Sequence, residues 1–166
     1  SYGCRQMDYY ITAGDSYADI MENYTNVTGH TPEFPQWASG FWQCKLRYKS
    51  QEEFLKVARE FKKRKLSLSV LVIDFLHWEH TGDWNLDPEY WPDPKAMVKE
   101  LDEMGIIIMI SPWILVTEDS DNYQHVKEKG FLTGSVDGKK YLIGWGDEKG
   151  QTYLYVVTDP ESARFL

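Results

Sequence analysis

Leu66–Phe75 reads LSLSVLVIDF, and Ile106–Leu115 reads IIIMISPWIL. Each is a near-continuous run of branched and long apolar residues, the pattern of a strand buried on both faces in a parallel sheet. Between them lies DPKAMVKELDEMG, a helix with Pro94 in its first turn and Gly105 at its end. Ahead of the first run, SQEEFLKVAREFKKRK starts at Ser50, with Glu53 three residues on as a capping box. Phe54, Leu55, Val57, Ala58 and Phe61 then recur at helical spacing. WASGFWQC, residues 37–44, reads as one more strand. Strand, helix, strand, helix, strand implies parallel pairing through right-handed crossovers, so a doubly wound sheet or a barrel.

Outside this block the signals are shorter. Residues 1–13, SYGCRQMDYYITA, read as a strand, and a helix runs from a Ser16 cap to Gly29 with Ile20, Tyr24 and Val27 on one face. Residues 30–36, with Pro32 and Pro35, form a linker. NYQHVKEKG reads as a short helix. FLTGSVDGKKYLIGW reads as a hairpin turning at Asp137-Gly138. TYLYVV is a last strand, and TDPESARFL begins a helix capped by Thr158 or Asp159. The chain stops as that helix starts, which suggests a piece of something larger.

The 166 residues allow one domain with a real core. A formal net charge of −8 argues against nucleic acid, whose phosphates it would repel. The longest apolar run is too short to cross a bilayer. No signal peptide opens this segment, an observation that leaves the compartment unassigned with a slight lean to the cytoplasm. Cys4 and Cys44 fit no metal spacing and read as unpaired thiols. Aromatic residues reach 15%, with seven Trp and eleven Tyr, and their ring faces serve cores and sugar faces alike.

"PQWASGFWQCKLRYKSQEEFLKVAREFKKRKLSLSVLVIDFLHW", followed by "GDWNLDPEYWPDPKAMVKELDEMGIIIMISPW", resembles glycoside hydrolase family 31. The resemblance implies an α/β fold holding about the first three βα units of a (β/α)8 TIM barrel, with a strand and helix before it and a small β insertion after it. Residues 1–36 would close an N-terminal β-sandwich and link it to the barrel. The barrel units would occupy 37–129, the insertion 130–157, and the next barrel element 158–166.

The same resemblance implies a retaining α-glycosidase acting on terminal α-linked xylose or glucose of oligosaccharides, with no cofactor and no metal. Asp74, at the end of the second strand, would accept hydrogen bonds from sugar hydroxyls, work that suits a carboxylate's several lone pairs. Its alternative is a cap on the neighbouring turn. Phe75 and Leu76 would stand where glucose and xylose preference varies. Trp78 and Trp113 would wall the pocket or pack beneath loops, and Trp42, Arg47 and Tyr48 would stand near it after the first strand. His77 and His80 read as surface or hydrogen-bonding residues rather than metal ligands. Asp83, Asp87, Glu89 and Asp93 read as turn and cap residues, with Trp84 and Trp91 packing the loop between them.

Retention needs two carboxyl groups about 5–5.5 Å apart. The W-x-D-x-x-E-like nucleophile motif of the family does not occur in the sequence. The catalytic carboxylates are therefore expected beyond Leu166, and the piece is expected to be inactive alone. An incomplete barrel would also expose sheet edges that invite self-association. Competing readings are a non-catalytic carbohydrate-binding module, which the helical periodicity disfavours, and a nucleotide-binding domain, which would need a glycine-rich loop that is missing.

Overall fold

The computed structural model describes residues 6–134 and 152–166. The chain divides into two compact units, residues 1–39 and 40–166.

In the first unit, α1 (Tyr17–Thr28) starts where the Ser16 hydroxyl accepts from the Asp19 N–H and stops at Gly29, whose φ of 95° only glycine adopts freely. The helix buries no residue, and Tyr24 and Val27 on the expected apolar face are exposed. Residues 6–13 form no strand, contrary to the sequence reading. Alternation alone does not make a strand, because backbone groups need a neighbour, and none pairs with this segment among the described residues. The tryptophan that should open a strand at 37 lies instead in a 3-10 turn, Gln36–Ser39.

The second unit contains the barrel-like block. Strands β1 (Trp42–Gln43), β2 (Val70–Ile73) and β3 (Ile107–Ile110) pair in parallel in the order β1-β2-β3, with Trp42 opposite Val70 and Val70 opposite Ile107. Helices α2 (Gln51–Lys63) and α3 (Pro94–Glu103) make the two crossovers. Ser50 caps α2 by accepting from the Glu53 N–H. Glu53 does not return the bond to Ser50 as the capping box predicts. Its carboxylate takes the Lys49 N–H at 2.7 Å and the Lys45 ammonium at 2.6 Å. Asp93 caps α3 through the Ala96 N–H.

The apolar stripe of α2 meets that of α3 over the sheet. Phe54, Leu55, Ala58, Leu71, Ile73, Trp91, Met97 and Leu101 form one core cluster, in which the Phe54 ring meets the edge of Trp91 at 5.7 Å. Burying side chains of this kind stabilises by about 1.5–3 kcal/mol each before chain entropy is counted. On the surface, Arg59 grips Glu100 with two bonds of 2.6 and 2.9 Å, tying α2 to α3.

The two founding runs behave differently. β2 is buried at every position because it has a strand on each side. β3 is not: Ile107, Met109 and Ile110 are exposed, since β2 is its one neighbour among the described strands. The expected strand 106–115 also breaks in two. After Ser111-Pro112, β4 (Leu115–Thr117) leaves the parallel sheet and pairs antiparallel with β5 (Thr152–Leu154), Val116 opposite Tyr153. Helix α4 (Tyr123–Glu128) packs there through Tyr123 and Val126 against Phe131, Tyr153 and Tyr155, a second core. Helix α5 (Pro160–Phe165) starts at Asp159, which accepts from the Glu161 and Ser162 N–H groups, so Asp159 and not Thr158 is the cap. The hairpin expected at Asp137-Gly138 lies outside the described residues.

Candidate functional site

In parallel strands joined by helices, every strand-to-helix loop emerges at the same end of the sheet. The segments after β1, β2 and β3 therefore meet, and each carries reactive or aromatic side chains.

Asp74 is the first residue after β2. Its Oδ1 accepts from the Phe75 N–H at 2.8 Å and from the Trp113 indole N–H at 3.3 Å. Its Oδ2 has no partner among the described residues. The turn-capping bond foreseen as the alternative therefore exists, and it leaves half of the carboxylate free. From β1, Cys44 comes near enough to feel that charge. Its thiol is pushed above the ordinary range, first by partial desolvation at the sulfur and then by the Asp74 carboxylate, although the residue as a whole is exposed. The sequence marks Cys44 only as an unpaired thiol. Its place at the end of a strand was the signal that could have found it.

Phe75 and Leu76 follow with φ of 28° and 55°, left-handed values that cost about 1–2 kcal/mol per residue outside glycine. This turn sends consecutive side chains to different places. The Phe75 ring lies 4.8 Å from the ring of Trp113, while Leu76 lines a separate cleft together with Arg47. Trp113, half-buried after β3, is held at both ends: its indole donates to Asp74 and its carbonyl accepts from the Trp84 indole at 2.9 Å. Asp74, Phe75 and Trp113 thus form one contiguous group. Trp78 does not join it with an open face. It is 4% exposed, its indole donates to Thr81 Oγ1, and Phe75 meets only its edge at 6.3 Å. Trp91 and Trp84 pack as expected, in the core and against Tyr155. Tyr48 is buried in the core cluster.

His77 departs from the expectation of a surface or hydrogen-bonding residue. It is 2% exposed, its Nδ1 has no hydrogen-bond partner, and its ring lies 4.4 Å from Trp78. Burial pushes its pKa down to about 4, against an upward pull from Asp74. His80 stays partly exposed, 3.4 Å from Asp83. The carboxylate string is structural in its contacts: Asp87 accepts from the Glu89 N–H, Asp93 caps α3, and Asp83 joins two loops.

The chain that carries this parallel βαβαβ block matches known proteins. Residues 31–165 match the model of the glycosyl hydrolases family 31 TIM-barrel domain. The chain belongs to glycoside hydrolase family 31. It is 46% identical over 162 residues to an uncharacterized family 31 glucosidase of Pseudescherichia vulneris, covering 98% of this chain and 30% of that protein. It is 40% identical over 131 residues to an alpha-xylosidase of Saccharolobus solfataricus, covering 77% of this chain and 18% of that protein. Among solved structures, a family 31 alpha-xylosidase from a soil metagenome, complexed with xylose, superposes with a TM-score of 0.86 at 45% identity, covering 93% of this chain and 22% of that one. The family 31 chain therefore spans less than a third of the length of these relatives, and its sheet is part of a TIM-barrel domain.

Proposed function

We propose that this chain forms one wall of the sugar pocket of a retaining α-glycosidase, which removes terminal non-reducing α-linked xylose or glucose from oligosaccharides. The observation that carries the proposal is the free Oδ2 of Asp74 at the mouth of β2, beside the ring pair of Phe75 and Trp113. A carboxylate oxygen without a protein partner accepts sugar hydroxyls through charge-assisted bonds, and the adjacent indole offers an apolar face to the pyranose ring. The acid and the nucleophile of the reaction come from outside these residues, because the sequence contains no nucleophile motif. The chain by itself binds and does not turn over.

The test is to assay the protein containing these residues against 4-nitrophenyl α-xyloside and 4-nitrophenyl α-glucoside. Replacing Asp74→Ala removes two or so charge-assisted bonds to substrate, at about 1.5–3 kcal/mol each, so kcat/KM falls at least ~100-fold. An unchanged kcat/KM refutes the assignment. The ratio between the two substrates in the unmodified protein decides the sugar.

Self-association of the chain is a second reading, favoured by the exposed Ile107, Met109 and Ile110 on an edge strand. Sedimentation distinguishes it: a concentration-independent monomer removes it.

A further inference from the structure

We infer that Trp84 is a positioning residue: it sets the loop after β3 so that the Trp113 indole stands against Asp74. The inference rests on the pocket reading above and adds a residue that acts on the pocket through Trp113.

Three observations carry it. The first is the backbone at Trp84, whose φ of 51° lies in the left-handed region that favours glycine. A wide, Cβ-bearing residue stays in that region only where its surroundings fix it. Here the ring does the fixing. It is half-buried, its edge meets Tyr155 at 5.0 Å and Phe165 at 6.3 Å, and it packs against the second core. The packing expected of Trp84 is therefore present, and it aims the indole N–H away from that core.

The second observation is what the N–H reaches. It donates to the Trp113 carbonyl at 2.9 Å, across 29 positions of chain. The next carbonyl, that of Ile114, accepts from the Tyr155 N–H, also at 2.9 Å. Two successive carbonyls after β3 are thus gripped by two residues whose rings pack on each other. Pro112, with its fixed φ, stands just before them. The orientation of the Trp113 backbone is set from these partners.

The third is sensitivity. The Trp113 indole reaches Asp74 Oδ1 at 3.3 Å, beyond the usual range of about 2.7–3.2 Å for such a bond. A displacement of about 0.3 Å breaks it. A ring so near the limit keeps its place beside Asp74 only if its backbone is held.

The experiment reads the tryptophan indole N–H resonances of the 15N-labelled chain. The Trp113 and Trp84 signals are assigned by their loss in Trp113→Phe and Trp84→Phe, and Asp74→Ala shows how far the Trp113 signal moves when its acceptor is gone. Trp84→Phe keeps a ring against Tyr155 and removes the donor. It is expected to move the Trp113 signal in the same direction as Asp74→Ala and to weaken binding of xylose or glucose about tenfold, roughly the effect of losing one hydrogen bond. Val126→Ala, at a fully buried position of the same core, loosens packing and leaves the donor in place, so signal and affinity should stay as they are. If Trp84→Phe does not fold, hydrogen exchange in the unmodified chain decides. The Trp84 indole proton is expected to exchange at least ~10-fold more slowly than free indole, and exchange at the free rate overturns the inference. A Trp113 signal or a sugar affinity that Trp84→Phe leaves unchanged also overturns it, while the pocket reading stands. So does an equal shift in Val126→Ala, which makes the effect one of core packing. If the unmodified chain binds neither sugar, the pocket reading fails, and the Trp113 signal alone decides whether Trp84 positions that ring.

Discussion

Removing the Asp83 carboxylate should unfasten the loop that holds Trp113 beside Asp74. The Asp83 side chain is 3% exposed. One oxygen accepts from the His80 N–H at 2.9 Å, and the other from the Asp121 N–H, also at 2.9 Å. The surrounding bonds run the same way: Thr117 N–H donates to the Thr81 carbonyl, and the Asn122 amide donates to the Gly82 and Asp83 carbonyls. Residues 80–83 are thereby bolted to 117–122, and the next residue, Trp84, holds Trp113 through its indole. Asp83→Ala strands two backbone donors. Each costs about 1–3 kcal/mol when buried; Asp121 is exposed and His80 is partly open to water, so the expected loss is about 1–2 kcal/mol. Asp83→Asn is not conservative here, because both oxygens accept and an amide has only one oxygen to offer. Its NH2 group faces a donor, and the expected loss is about half that of alanine or more. Urea unfolding followed by tryptophan fluorescence measures the free energy, and hydrogen exchange at the Asp121 amide reports the bond itself. A loss below ~0.5 kcal/mol, the range of an ordinary surface change, with Asp121 protection intact would refute the bolt.

Gly82 sits inside the same junction at φ 106°, and a Cβ there would lie 2.9 Å from both Cα and Cγ1 of Val116. Backbone cannot yield cheaply, so Gly82→Ala should cost about 3 kcal/mol in the same unfolding assay, from strain and overlap together. Gly105→Ala, at φ 69° with open space around the added carbon, should cost only about 1–2 kcal/mol, from strain alone. Equal costs would show that the Val116 contact does not matter. The His77 imidazole, with a folded pKa of about 4 against an ordinary 6.5, binds its proton more weakly folded than unfolded. Its contribution to stability is therefore complete above pH 6.5 and disappears as pH falls toward 4, on the order of 3 kcal/mol across the window. His77→Phe should flatten that part of the stability–pH curve, and an unchanged slope would show that His77 is not its source.

The block from residue 50 to 110 was legible in the sequence because each signal there is local. Ser50 and Asp93 mark helix starts by chemistry that acts within one turn, as Gly29 and Asp159 mark helix ends outside the block. The helical spacing of Phe54, Leu55 and Ala58 favours a helix, and the short β-branched run Val70–Ile73 favours a strand. Asp74 was readable for the same reason: a carboxylate directly after a buried strand stands at a sheet end whatever the rest of the chain does.

What depended on distant partners was not legible. Residues 6–13 and 37–39 have strand-like composition and no strand, since composition does not supply a neighbour. Nothing in IIIMISPWIL says that Leu115 will leave β3 to pair with Leu154, or that β3 will keep exposed side chains while β2 buries its own. His77 reads as a loop imidazole until the aromatic packing around it is known. Trp78 and Trp113 are the same residue type in similar loops, yet one is buried against Thr81 and the other reaches Asp74. The sequence by itself determined the helices, the parallel pairing and the place of the aspartate, because capping and periodicity act over a few residues. Tertiary structure alone decided which rings stand beside Asp74 and which fill the core. Burial and hydrogen-bond partnership are properties of what lies opposite, and for these residues that is chain dozens of positions away.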